Sequence, residues 1–468
     1  MLLAYCTASY ALTNPPVKGY IYSKEQASAV SGATVHLAGT DLMAETDEKG
    51  MFELAIPDGE HQLMVKKEGK KPTVYQVTRY QEKLVIMMEE EEEPEKTLLA
   101  GWDASFSGNI NANYVYTQAS FTPAVSGEAV QIDGNALMLG DDKGVHTIQN
   151  GLLPTGFVFN ASTMTADSVA ISVTLGAYPG LVSTANTGLS SPLIDLRQTF
   201  MTISKKGMGT FTVGRNYGMF GFDAIVNDIS LTAVGATAAV RNPLNTTLGG
   251  IGYGYPYADV LSQINYTTPT FGGFNFTAGV YQPFDLASLG MESLTGESQS
   301  NRPGIHGKVS YSGGPVYLSS TVITQDVNSG PAEFTSIGYD VFGRLTFGSL
   351  KLSGYYQGGQ GIGTTILLFD AADTEGNARS TNSWYGQASY GLGDKLTVGF
   401  IVAQSNNDPT ENDPETILES NTRITGGFYY NLTGSLNLNL EFTNMRATNP
   451  RGDEIINNSI NLGTFLSF

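Results

Sequence analysis

The feature that most limits the fold of this chain is a series of long segments in which apolar and polar residues alternate strictly. Near the C-terminus one face carries Leu436, Leu438, Leu440 and Phe442, and the opposite face carries Asn437, Asn439, Glu441 and Thr443. A repeat of two residues is that of a β-strand. A soluble sheet can show the same alternation, but the length and number of these segments favour strands that cross a membrane, which need about 9–11 residues each.

The part of the chain after residue 100 contains sixteen segments of this kind. An even number is what a closed bacterial barrel requires. The predicted strands lie near 104–118, 152–163, 166–178, 193–205, 208–219, 259–269, 271–284, 303–312, 315–327, 334–347, 349–359, 380–390, 395–405, 418–430, 435–447 and 454–468.

The connections between these strands alternate in length. Short turns are expected at 205–207, 312–314, 347–349, 391–394 and 432–434, and long loops at 119–151, 220–258, 285–302, 360–379 and 406–417. Two connections on the long side, 328–333 and 448–453, are short. Long extracellular loops opposite short periplasmic turns are typical of outer-membrane barrels. The sequence therefore predicts an all-β chain: a 16-stranded antiparallel transmembrane β-barrel preceded by a small periplasmic β-sandwich.

Composition agrees with this fold class and excludes several functions. No run approaches 18 apolar residues, so a transmembrane helix is excluded. The net charge of −19 argues against nucleic-acid binding. Cys6 is the only cysteine, and the four scattered histidines have no metal-ligand spacing. No histidine lies near a recognisable serine motif. We therefore expect no catalytic site, no cofactor and no metal.

Residues 12–88 predict a small antiparallel sandwich. Short runs with alternating apolar residues are separated by turn signals at 46–50 and 57–60. The segments Val17-Lys18-Gly19, Ser31-Gly32-Ala33-Thr34-Val35 and Ile56-Pro57-Asp58-Gly59 resemble the carboxypeptidase regulatory-like family. That resemblance implies a transthyretin-like β-sandwich without catalytic residues, which acts as a spacer or docking module.

Two further segments flank the predicted sandwich. Residues 1–11 have the apolar and small residues of a truncated signal peptide, the alternative being a disordered N-terminus. The acidic residues within 89–100 repel one another and predict a solvated linker before the barrel at 101–468.

Three segments within 195–284 have a distinctive sequence: Arg197-Gln198-Thr199-Phe200, the strand Gly209-Thr210-Phe211-Thr212-Val213-Gly214-Arg215, and the hairpin beginning at Tyr266. Together they resemble the trimeric general porins of Gram-negative bacteria. The alternating last strand ends in Phe468, which resembles the assembly signal of such barrels. The resemblance implies that the loop 219–258 folds into the channel as a constriction. It also implies a homotrimer in contact with outer-membrane lipid and lipopolysaccharide.

Alternation and this resemblance together predict the charged groups of the channel. Loop acids facing basic residues of the wall would create a transverse field that discriminates ions. Many relatives have an arginine where Asp259 stands, so we expect a bias towards cations. The predicted constriction and lumen residues are Arg197, Arg215, Asp223, Asp228, Asp259, Lys308, Asp340, Arg344, Lys351, Arg423 and Glu441.

Arg215 has two alternative positions. Strict alternation places it on the outward face with Phe211 and Val213, where a charge at mid-membrane costs about 2–4 kcal/mol. A bulge at Gly214 would turn Arg215 into the lumen, which is the alternative we favour. Otherwise Arg215 lies on the extracellular rim.

The sequence thus favours a channel for passive diffusion of ions and small hydrophilic solutes. A substrate-selective sugar channel is an alternative, because Tyr355, Tyr385 and Tyr429 are predicted to face inward as an aromatic track. The other alternative is a structural tether, in which the sandwich binds the cell wall or a periplasmic partner.

Overall fold

The computed structural model describes residues 16–57, 60–78, 84–90, 101–134, 144–179, 194–237, 246–284, 301–329 and 332–468. The predicted signal segment 1–11 and most of the predicted linker lie outside these residues, as do 238–245 of the predicted constriction loop. The chain divides into two compact units, Met1–Ala100 and Gly101–Phe468, and each is described by itself.

The first unit contains two small sheets packed on a shared apolar core. Its strands are β1 (Val17–Ser23), β2 (Thr34–Leu37), β3 (Met43–Glu45), β4 (Met51–Leu54), β5 (Glu60–Lys66), β6 (Thr73–Thr78) and β7 (Leu84–Met88). One sheet has the order β4-β1-β7 and the other β3-β2-β5-β6. Ile21, Val35 and Leu63 are fully buried between them. The alternating runs of the sequence thus form a β-sandwich, as predicted. It is not wholly antiparallel, because β1 pairs with β7 in parallel.

The second unit is a barrel of long antiparallel strands. They are β8 (Asp103–Thr122), β9 (Val145–Gln149), β10 (Gly156–Met164), β11 (Val169–Pro179), β12 (Ile194–Lys205), β13 (Gly209–Tyr217), β14 (Val260–Thr267), β15 (Phe274–Tyr281), β16 (Gly304–Gly313), β17 (Val316–Ser329), β18 (Ala332–Phe347), β19 (Leu350–Gln360), β20 (Ser380–Leu392), β21 (Leu396–Asp408), β22 (Ser420–Asn431), β23 (Leu436–Thr448) and β24 (Glu454–Ser467).

The strand β8 closes the barrel. It pairs with β24 on one side, and on the other its first residues pair with β10. The short strand β9 pairs with the later part of β8, so β9 and β10 together occupy one position in the wall. Counted this way, the barrel has sixteen positions, and the predicted strand number is confirmed. Strand β9 lies within the predicted loop 119–151.

The two ends of the barrel differ, and we name them by their connections. The turn end carries tight turns in which glycines such as Gly207, Gly348 and Gly393 have positive φ, as a compact reversal requires. The mouth end carries the longer loops. Strand β8 begins and β24 ends at the turn end, where Phe468 packs against Phe106 and Phe157 with ring centroids 6.2 and 6.3 Å away.

The outer face of the barrel is largely apolar. Outward residues such as Phe276, Val322, Ile337 and Phe442 are each more than half exposed. A closed barrel satisfies every backbone group between its strands, so such a face can meet lipid. None of the helices in the described residues has the length and apolar character needed to cross a membrane.

Candidate functional site

The described parts of the loop 219–258 lie inside the barrel and contact its inner wall. The loop follows β13 and forms a short helix, α1 (Phe222–Asn227), which buries Ala224 and Ile225. Gly221 precedes the helix with φ 75°, and its N–H donates to Asp340 Oδ2 at 2.7 Å. The other oxygen of Asp340 accepts the N–H of Thr321 at 2.9 Å. One wall carboxylate thus fixes the start of the helix.

The first turn of α1 is held by a second carboxylate, that of Asp223. Its Oδ2 lies 2.7 Å from Lys308 Nζ on β16 and accepts the hydroxyl of Tyr317 on β17 at 3.0 Å. Ser319 donates to the same oxygen. These contacts tie the helix to two neighbouring strands.

The end of α1 is held by the most deeply buried ion pair of the described barrel. Asp228 accepts two hydrogen bonds from the guanidinium of Arg423, at 2.9 and 3.0 Å, and both side chains have no solvent exposure. The Tyr255 hydroxyl donates to Asp228 Oδ2 at 2.6 Å. Because a buried charge that loses its partner is strongly destabilising, this pair fixes both the loop and its returning segment.

A fourth carboxylate holds the middle of the loop. Glu441 on β23 is fully buried, and its Oε2 accepts the N–H groups of Val234 and Gly235 at 3.1 and 2.8 Å. Its Oε1 accepts the hydroxyl of Tyr429 at 2.6 Å. The loop is therefore attached to the wall from β16 to β23.

This arrangement differs from the predicted transverse field. The loop acids Asp223 and Asp228 touch the wall cations Lys308 and Arg423 directly rather than facing them across water. Charges in contact largely cancel at a distance. The field that acts on a solute must therefore come mainly from other charged groups.

Arg344 and Lys351 lie nearer the turn end of the same wall. Arg344 Nη1 donates to the side-chain oxygen of Asn227 at 2.7 Å, and its guanidinium lies 5.4 Å from the centre of the Tyr317 ring. Lys351 is the second residue of β19 and is exposed. Among the described residues, neither side chain has a carboxylate within ion-pair distance.

Arg197 is turned into the interior by an irregularity in the pairing of β11 with β12. The register shifts between Gly176 and Tyr178, and Arg197 becomes buried. Its guanidinium lies 5.5 Å from the centre of the Tyr178 ring, and Nη1 is 3.4 Å from the hydroxyl of Tyr257 at the end of the loop. Asp259 adopts φ 54°, and its Oδ1 accepts the N–H of the residue that follows it.

The expected bulge at Gly214 is wrong. The pairing of β13 with both neighbours continues through Gly214 without a shift, and Arg215 faces Thr199 and Ser262. Arg215 therefore stays on the outward face with Phe211, two residues before β13 ends at the mouth. This placement agrees with the rim alternative. The register shift that brings an arginine inside occurs one strand earlier, at Arg197.

The prediction of an exposed aromatic track along the channel is also wrong. Tyr355, Tyr385 and Tyr429 do face inward, but the loop covers them and each is buried. The Tyr385 hydroxyl contacts the carbonyl oxygen of Ala224 at 3.3 Å, and the ring meets that of Tyr255 edge-on at 5.9 Å. These tyrosines support the loop and leave no exposed track for a sugar.

The wall formed by β10–β13 has a different chemistry. Apart from the buried Arg197, its described inward side chains include neutral, partly exposed residues: Asn160, Ser172, Thr174, Gln198, Thr202 and Asn216. They bond to one another across strands, as Gln198 Nε2 does to Asn216 Oδ1 at 2.9 Å. Such a surface offers hydrogen bonds to water without a net charge.

A second inserted loop was not foreseen from the sequence. In 361–379 the residues Ile362 and Leu367 pack with Phe220, and the carbonyl oxygen of Thr365 accepts the N–H of Tyr257 at 2.6 Å. The signal was present: four consecutive apolar residues, 366–369, are unusual in a solvated loop. The full burial of Tyr253 and Tyr255 was also missed, because alternation carries no information about loops.

The mouth is acidic. When the connection 218–259 is left out, the described loop residues of the mouth end include ten Asp or Glu and three Arg, without lysine. Burial raises the pKa of Asp370 to about 6, with Arg379 lowering it and Asp413 raising it. For Asp453 burial opposes ionisation, but backbone and side-chain donors hold the pKa at about 2. No group of three potential metal-ligating residues occurs among the described residues.

Replacing Asp228 with Ala tests the anchoring of the loop. The guanidinium of Arg423 then stays buried without a partner, which costs about 3–5 kcal/mol. We expect the loop to leave the wall, so that single-channel currents become noisier and protease cleaves within 219–258. Arg302→Ala, which breaks an exposed pair with Asp326, is the matched control and should change neither measurement. If the Asp228→Ala channel has currents as quiet as the wild type and its loop 219–258 resists protease equally well, the proposed anchoring of the loop by Asp228 is wrong.

Two domain families match the chain. The model described as Gram-negative porin matches residues 97–450, and that described as a CarboxypepD_reg-like domain matches residues 17–98. A search of curated proteins finds no match.

Solved structures show the same barrel fold. An anion-selective porin from Comamonas acidovorans superposes with a TM-score of 0.56 at 16% identity, covering 78% of this chain and all of that one. The outer membrane channel DcaP of Acinetobacter baumannii gives 0.57 at 14% identity, covering 79% of this chain and 98% of that one. Since the porin model matches well over half of the chain, this protein belongs to the Gram-negative porin family and is an outer-membrane channel for passive diffusion.

Proposed function

We propose that the loop 219–258 is the constriction of this channel, and that ions and small hydrophilic solutes pass between it and the wall β10–β13. The observation that carries the proposal is the attachment of the loop to β16–β23 by four buried or half-buried carboxylates. Because these carboxylates lie along β16–β23, the loop narrows the barrel from that side, and the wall β10–β13 offers neutral hydrogen-bonding groups to a hydrated solute. The protein has no catalytic role in this proposal.

The channel is proposed to favour cations weakly. The loop acids Asp223 and Asp228 are paired with wall cations, so an ion that approaches from the mouth first meets the acidic mouth loops. Clusters of one sign raise the local concentration of the opposite ion, an effect that falls with ionic strength. A sugar-selective channel is less well supported, since the inward tyrosines are covered.

A homotrimer is proposed because the outer face of the barrel is polar where β8 meets β24 and β23. Gln118, Asn444 and Asn458 form one outward row across β8, β23 and β24, and Asn444 Nδ2 donates to Asn458 Oδ1 at 2.8 Å. Arg446 pairs with Glu454 on the same face. Such polar groups are costly against lipid but suit a contact between subunits. Elsewhere lipid and lipopolysaccharide would cover the wall.

Replacing Asn444 and Asn458 with Leu should lower the trimer fraction in detergent ultracentrifugation.

The N-terminal sandwich is proposed to lie in the periplasm. Strand β8 begins at the end that carries the short turns, and short turns are periplasmic in bacterial barrels. In the periplasm the sandwich is placed to bind the cell wall or a periplasmic protein. A structural tether is therefore the function proposed for this unit.

Reversal potentials test the proposed selectivity. In a planar bilayer with a KCl gradient, the wild type should favour K⁺ over Cl⁻. Replacing Glu411 and Glu415 with Gln removes two mouth charges and should reduce that preference, whereas Asp394→Asn at a turn should not. The effect should shrink at high salt because the mouth is exposed to solvent. A preference for Cl⁻ in the wild type would refute the cation bias.

Deleting residues 12–96 separates the tether from the channel. The barrel has its own strands and closure, so conductance should remain near the wild-type value. If the sandwich binds the envelope, cells that carry the deletion should leak periplasmic enzymes and become sensitive to detergent. Unchanged envelope integrity would contradict a tether, and lost conductance would contradict an independent barrel.

A further inference from the structure

A recess of about 270 Å³ opens between the loop 219–258 and the turn ends of the strands β18–β23. Its lining includes Arg344, Lys351, Ser353, Gln387, Ser389 and Asn437. These wall residues lie near the short turns in the sequence. The recess therefore lies on the turn-end side of the proposed constriction. Residues 226–232 of the loop contribute its other side.

The recess is positively charged in a protein that is acidic as a whole. Arg344 and Lys351 are the charged groups in its lining, and the remaining lining residues are neutral, without a carboxylate. Two inner cations outside the recess behave differently: Lys308 and Arg423 each contact a loop carboxylate. The charge of the recess is therefore available to a ligand.

The arginine is held in place without being neutralised. Its partners are the amide oxygen of Asn227 and the ring of Tyr317, neither of which carries a negative charge. Gln387 fixes the same part of the loop, because its Nε2 donates to the carbonyl oxygen of Asn227 at 2.8 Å and its Oε1 accepts the N–H of Ile229 at 2.8 Å. An oriented guanidinium beside a mobile ammonium and several hydroxyl groups is well suited to an oxyanion.

We propose that this recess binds a small oxyanion, the carboxylate or phosphate group of a solute that passes through the channel. The proposal rests on the proposed function and names a solute class for it. Lys351 supplies a flexible charge, Arg344 a fixed one, and the hydroxyl and amide groups of the lining bind the remaining oxygens. A solute with such a group pauses on the turn-end side of the constriction and hinders the flow of K⁺ and Cl⁻ while it is bound.

Conductance in planar bilayers tests the recess. Succinate or inorganic phosphate is added to both sides of the full-length channel in KCl, and the current is measured against concentration. We expect a saturable decrease for at least one of the two anions, and the comparison shows whether carboxylate or phosphate is the preferred group. Lys351→Gln should weaken the apparent affinity about tenfold, the effect of one lost charge-assisted hydrogen bond.

Lys395→Gln is the matched control. Lys395 is an exposed turn-end lysine outside the recess, with its Nζ near the carbonyl oxygen of Leu432. Removing its charge should leave the affinity unchanged. The recess is refuted if the wild type conducts KCl normally but neither anion gives a saturable decrease, or if both variants weaken the affinity equally. A wild type that does not conduct KCl refutes the proposed function itself and the recess with it.

Discussion

Asp228 and Arg423 meet inside the barrel with no solvent exposure on either side chain, and the arrangement of the interior depends on this contact. Two charges removed from water are stable only while they remain paired and hydrogen-bonded. The pair joins the end of α1 to β22, and the Tyr255 hydroxyl brings the returning segment of the loop to the same carboxylate. Since Asp340, Asp223 and Glu441 act along the same wall, four carboxylates take part in attaching the loop.

This attachment changes where charge matters in the channel. Carboxylates and cations in direct contact hold the loop but leave little field between them. Among the described residues, the mouth loops are acidic, and the recess near the turns contains Arg344 and Lys351. A solute therefore meets a change of sign along the barrel axis rather than a strong field across it. That difference connects the proposed cation preference of the mouth with the proposed oxyanion site on the turn-end side of the loop.

Much of the barrel could be predicted from the sequence, because alternation over a dozen residues determines both the strand and the face of each residue. All sixteen strand positions were found this way. Of the predicted charged groups, Asp223, Asp228, Lys308, Asp340, Arg423 and Glu441 lie where the loop meets the wall, Arg197 is inside through a register shift, and Arg215 is outside. Alternation fails where the pairing shifts, and no residue type marks the shift beside Tyr178. Glycine at 214 suggested a bulge, yet its positive φ is accommodated in register.

Contacts within the loops were harder to foresee. The alternation along each strand places Tyr355 and Tyr385 on the inner face but does not show what covers them. The cover depends on the path of a loop, and the sequence of a loop has no repeat from which that path can be predicted. The hydrogen bonds from the Gly221, Val234 and Gly235 N–H groups to wall carboxylates are likewise invisible in the sequence, since any residue can donate them. The apolar run 366–369 was a readable signal of a second inserted loop.

Hydrogen–deuterium exchange of the loop in the full-length protein tests the central claim most directly. If wall carboxylates hold the loop, the amides of 220–236 should exchange slowly, on the timescale of the neighbouring strands, because their N–H groups are bonded and buried. Exchange of this segment within seconds, while the strands stay protected, would contradict an anchored loop.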